Sequence, residues 1–269
     1  MIDKIFITKL LVSFFVGGGV IALLSILAKK YQKYGGIILS MPSTMTLGLF
    51  FIGWSQGVDI ALEANLAIPI GIAIDLVFFT TFVYAAQIGN SKLNSLISAN
   101  LISVLIWGLL AYFITSQKFN NITYGIIIYI FMVFISFILL SRKRNYENKK
   151  VIKKITYFQI FSRVIFSGII ITTAVLLSKI VDPIWGGILS IFPVAFLSSM
   201  NMLLYYRGRD FIKSVSQTTP LSSFFFVFYS FMAFIFFRLG IFWGTIICQL
   251  ITVILMFLSK DIIKRISSK

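Results

Sequence analysis

The chain contains no histidine, which removes the usual neutral-pH acid–base group, the Ser–His pair and the commonest zinc ligand together. Its one cysteine, Cys248, lies in an apolar run, so neither a disulfide framework nor a cysteine metal site is available. No metal site and no cofactor are expected. Acids are scarce as well: eight Asp and Glu stand against 24 Lys and Arg, and charged residues make up only 12% of 269. What abounds is apolar surface, 59% of the residues, arranged in runs that a soluble domain of this length would not tolerate. The expected class is an all-α polytopic membrane protein. The net charge of +16 sits in short gaps between apolar runs rather than on one polar face. That pattern sets orientation in a membrane and gives no reason to expect a nucleic-acid partner.

Apolar runs of about 19 residues or more predict nine spans, near 10–28, 35–53, 66–86, 95–115, 122–140, 157–178, 184–206, 219–237 and 239–258. The first is too long for a signal peptide and is followed by Lys29, Lys30 and Lys33, so it is expected to be retained. With the N-terminus outside, alternate loops hold 18 basic residues on the cytoplasmic side and five on the outer side. That split predicts a plasma (inner) membrane protein with its C-terminus in the cytoplasm. The remaining base, Arg163, falls inside a span.

The chain repeats itself. At a constant offset of 151 and without a gap, Gly35, Gly36, Ile37, Pro42, Gly57, Asp59 and Pro69 meet Gly186, Gly187, Ile188, Pro193, Gly208, Asp210 and Pro220. Four of the five prolines fall into these pairs. The expectation is two four-helix repeats, residues 1–115 and 157–269, joined by residues 116–156, which carry a linker helix and a basic cytoplasmic loop. Five crossings precede the second unit, so it enters the membrane from the opposite side and the repeats are inverted. Homologous connectors carry opposite charge, as inversion demands: Asp59 and Glu63 after Gly57, but Arg209, Asp210 and Lys213 after Gly208. Each connector is long enough for a short surface helix.

The stretch from Trp185-Gly186-Gly187 to Phe192-Pro193, with a helix ending near Gly208 and a polar connector to Pro220, resembles the GlpM-like family of small inner-membrane proteins. Tyr34-Gly35-Gly36 to Met41-Pro42 is similar to it more weakly. The resemblance implies a four-helix unit, present here twice with the fifth span added, and carries no activity across. Those proteins usually have a further proline about two positions before the Phe-Pro; Leu39 and Ser190 stand in that neighbourhood here, which implies a milder backbone break.

Pro42 and Pro193 lie roughly 12–15 Å into their spans at about 1.5 Å per residue, near the bilayer midplane. A proline there frees a backbone carbonyl, and the preceding Gly35-Gly36 or Gly186-Gly187 allows a bend or a close neighbour. Polar residues follow each break: Ser43, Thr44 and Thr46 in the first, Ser198, Ser199 and Asn201 in the second. Broken helices meeting at the midplane from opposite sides build a transporter's site, although the same residues can simply kink and pack helices. Asp75 is the only acid inside a span, and its counterpart at 226 is Phe. An ionised carboxylate at that depth costs about 2.5–3.5 kcal/mol unless paired, hydrated or protonated. Asp75 therefore reads as a proton- or cation-coupling group, as one half of an ion pair with Arg163, or as an incidentally hydrated position. Ser95, Ser98, Asn100 and Ser103 form a polar stripe suited to binding a neighbouring helix, and the four tryptophans suit the membrane interfaces.

The function these features favour is transport of a small solute, ion or lipid, with proton or cation coupling through Asp75. The partners expected are membrane lipids and that substrate. A membrane scaffold or accessory subunit is the alternative, and an intramembrane enzyme is not expected.

Overall fold

A computed structural model describes residues 3–30, 41–117, 121–140 and 157–267. Gly35, Gly36 and the basic segment Ser141–Thr156 lie outside them. The described chain is helical throughout: α1 Lys4–Lys30, α2 Ser43–Gln56, α3 Val58–Leu66, α4 Ile68–Ala85, α5 Lys92–Ser116, α6 Ile122–Leu140, α7 Tyr157–Ile180, α8 Pro183–Ser190, α9 Val194–Arg207, α10 Arg209–Val215, α11 Thr219–Ser222, α12 Phe224–Phe236 and α13 Ile241–Ser267. No strand occurs among the described residues. Seven segments are long and apolar enough to cross a membrane: Lys4–Leu27, Ile68–Ala85, Lys92–Ser116, Ile122–Leu140, Ile160–Ile180, Arg209–Leu239 and Ile241–Ser259. The protein is therefore an all-α polytopic membrane protein. The two expected runs that fall in none of these seven segments are 35–53 and 184–206, the ones that contain Pro42 and Pro193. In the second, proline divides the run into α8 and α9, each shorter than a bilayer.

Both breaks have the same form. Pro42 (φ −72°, ψ 44°) and Pro193 (φ −82°, ψ 56°) sit at the centres of inverse γ-turns, closed by Ser43 N–H to Met41 O at 2.7 Å and Val194 N–H to Phe192 O at 2.8 Å. Each proline carbonyl then accepts the first bond of the next helix, from Thr46 or Leu197 at 2.8 Å. Each of those helices runs 14 residues. Each stops at a glycine with positive φ, Gly57 at 109° and Gly208 at 83°. A side chain there would clash with its own backbone, so glycine ends the helix at the same place in both. Pro69 and Pro220 lie in the first turns of α4 and α11, where a missing N–H costs nothing.

The core gathers around α4, in which 14 of 18 residues are buried. By contrast α5 buries one narrow stripe, Ser95, Ala99, Ser103, Trp107, Ala111 and Thr115, at a spacing of four. Small residues dominate that stripe and let backbones approach; the other faces are left for lipid. Helices α1 and α7 pack antiparallel. Phe6 at the start of α1 lies under Lys179 at the end of α7 (4.1 Å to the ring), Ser13 meets Thr172 at 3.2 Å, and Ser25 meets Arg163 at 3.0 Å. Glycines make that contact close: a Cβ on Gly18 would fall 2.5 Å from Val164 O, and one on Gly168 2.8 Å from Phe14 O.

One expectation holds only in part. The first connector is a short helix, α3, with Asp59 and Glu63 exposed, but its other face is packed: Ala61, Ala64 and Asn65 are fully buried and Asn65 Nδ2 donates to Ser230 O at 2.9 Å. The reason lies across from it. Gly187 has no side chain, so α8 settles directly on the Ala64 carbonyl.

Candidate functional site

The two proline turns, the acid and three of the polar residues, Ser43, Thr44 and Ser199, meet at one cavity of about 360 Å³. The turn at Pro42 contributes Met41 and, from the head of α2, Ser43 and Thr44. The turn at Pro193 contributes Phe192, Pro193 itself and Phe196. Asp75 and Phe79 come from α4, and Thr219, Ser222 and Phe226 close the far wall. The lining continues through Leu203 and Thr218 toward the connector that carries Arg207, Arg209 and Lys213.

Asp75 is 5% exposed and is the one charged residue of the lining among the described residues. Its Oδ1 accepts a hydrogen bond from Trp107 Nε1 at 2.8 Å, and no other donor reaches the carboxylate among the described residues. Trp107 in turn stands edge-on to Phe192, with ring centroids 4.8 Å apart at 85°. The acid is thus tied through one indole to the proline turn of the other half of the chain. Trp107 is buried at 6% exposure, which corrects its assignment to the membrane interface. Trp54 and Trp243, at 39% and 63%, keep an exposed position.

Arg163 does not pair with Asp75. Its Nε, Nη1 and Nη2 donate to Ser198, Ser25 and Ser199 at 2.6, 3.0 and 2.9 Å. Only Ser199 of those three lines the cavity, so the guanidinium lies behind the wall rather than in it. This buried cation is satisfied by neutral hydroxyls, and no carboxylate pairs with it among the described residues.

The remaining residues divide cleanly. Thr46 turns away from the cavity and donates to Gln249 Oε1 at 2.9 Å. Asn201 and Asn100 exchange amide bonds at 2.6 and 2.8 Å, joining α9 to α5. Ser98 donates to Ala85 O at 2.8 Å and Ser95 to Gly89 O at 3.2 Å, so the α5 stripe holds helices and loops together. Gly186 and Gly187 sit inside α8 and serve close approach; the bend falls later, at Phe192-Pro193. A Cβ on Gly186 would lie 2.5 Å from the Ser178 Cβ.

Sequence reasoning missed Trp107, Phe196, Thr219 and Ser222. For Trp107 a signal existed, because it continues the four-residue spacing of Ser95 and Ser103. For the others none did, since one phenylalanine among 29 carries no mark of its position. No family model matches this chain, and no curated protein or solved structure matches it either.

Proposed function

We propose that the protein is a secondary transporter whose binding site lies near the bilayer midplane between two four-helix units of opposite orientation. The observation that carries this reading is the shared cavity: both proline turns and the buried acid contribute to one lining. Matching turns, matching 14-residue helices and glycine stops at an offset of 151 support a duplicated unit. The antiparallel contact of α1 with α7, which correspond at the same offset, supports inversion. The GlpM-like resemblance rests on its quoted residues and belongs to the same proposal. So does the orientation in an inner membrane, with the N-terminus outside, which follows from the basic residues.

Alternating access is the test. In a Cys248→Ser protein, single cysteines replace the lining residues Thr44 and Phe196, and a membrane-impermeant thiol reagent is applied from each face in turn. A transporter exposes both positions to either face, to degrees that shift with conditions. Labelling confined to one face under every condition would leave a static scaffold and remove the transport reading.

A further inference from the structure

We infer that the cavity takes a monovalent organic cation with an apolar body, such as a substituted ammonium. This deepens the proposed function and rests on the same cavity being the binding site. Charge gives the sign: among the described residues Asp75 is the one charged side chain of the lining, and the buried base Arg163 directs its donors at Ser25, Ser198 and Ser199. One unit of positive charge completes the site, whereas an anion would stand against the Asp75 carboxylate with Arg163's donors already committed to hydroxyls.

The walls give the rest of the chemistry. Phe79, Phe192, Phe196 and Phe226 line the same space as the carboxylate. Phe79 and Phe196 are in ring contact, with centroids 4.0 Å apart. Aromatic rings beside a carboxylate attract weakly hydrated cations, because the ring quadrupole helps replace lost water. A bare metal ion needs a shell of several oxygen ligands. Here one carboxylate and a few hydroxyls stand among rings and aliphatic chains, and no group of three His, Cys, Asp or Glu that could hold a metal occurs among the described residues. A zwitterion would need a base in the wall, and none lines it among the described residues. The volume of about 360 Å³ lies at the lower end of the range for small-molecule pockets.

The test measures binding, not transport. The full chain in detergent micelles is titrated calorimetrically with benzyltrimethylammonium and, separately, with benzenesulfonate. Saturable binding of the cation alone is expected. Asp75→Asn should weaken it by about tenfold or more, as loss of a buried charge partner does. Asp75→Glu should retain it. Absence of saturable cation binding, equal binding of benzenesulfonate, or unchanged affinity in Asp75→Asn each overturns the inference. If Asp75→Asn does not fold, Phe196→Leu decides: the affinity drops about threefold if the ring contributes a cation–π contact, and an unchanged affinity overturns the inference. Cation binding with thiol labelling from one face only would keep this site and remove transport. Alternating labelling without cation binding would do the reverse.

Discussion

Residues 43–85 and 194–236 follow one path with two sets of side chains. Each begins at a proline γ-turn, runs a 14-residue helix to a glycine of positive φ, passes a short helix, and enters the next helix with a proline in its first turn. The two end at Ala85 and Phe236, which are themselves 151 apart. The contents differ. Where α4 is continuous through Asp75, the second path is interrupted at Ser223, and Phe226 stands in place of the acid. Both 75 and 226 line the cavity. Trp107, which holds Asp75, corresponds to Leu258, which is 74% exposed. Prolines and glycines set the backbone angles at matching places on the two paths, where few other residues could. The side chains between them differ, and one cavity takes an acid from one path and a ring from the other.

The largest effect expected is on the shared backbone. Gly57→Val and Gly208→Val meet no neighbour within 4 Å, so their whole cost is the strained conformation, about 3 kcal/mol for each. Thermal unfolding in detergent should drop comparably for both. A loss at only one of them would break the equivalence of the two paths.

Next comes the exchange of contents. Asp75→Phe should abolish cation binding, and adding Phe226→Asp should restore it to within about tenfold of the wild type, since both positions face the same space. The restored site is weaker because position 226 has no indole donor. Binding in both the wild type and the exchanged protein should weaken as the pH falls, since a protonated carboxyl has no charge to offer. Failure of the exchange would place 75 and 226 in separate environments.

The sequence allowed the breaks to be located but not the inward faces of the helices. Proline and glycine act through local geometry, so Pro42, Pro193, Gly57 and Gly208 could be read without knowing their neighbours. Asp75 stood out because a charge at that depth needs a reason. Facing is different, because lipid is as apolar as a protein core and an outward Leu looks like an inward one. That is why Trp107 read as an interfacial residue, why Thr46 could not be separated from Ser43 and Thr44, and why α3 read as a surface helix. Polar atoms with a bond to make were the exception: Ser95, Ser98 and Asn100 were expected to hold neighbouring elements, and they do.

The smallest effect tests the indole. Trp107→Phe removes the one donor to Asp75 while keeping an aromatic ring beside Phe192, and the expected loss of stability is roughly 1 kcal/mol, the net worth of a typical hydrogen bond. Leu258→Phe, at the corresponding position of the second half, changes a side chain that is mostly exposed and should leave the melting temperature unmoved. Added benzyltrimethylammonium should recover more stability in the Trp107→Phe protein than in the wild type. A carboxylate stripped of its donor gains more from an incoming countercharge. If Trp107→Phe and Leu258→Phe melt alike, with and without the cation, the indole is packing only, and Asp75 is held by something other than its one hydrogen bond.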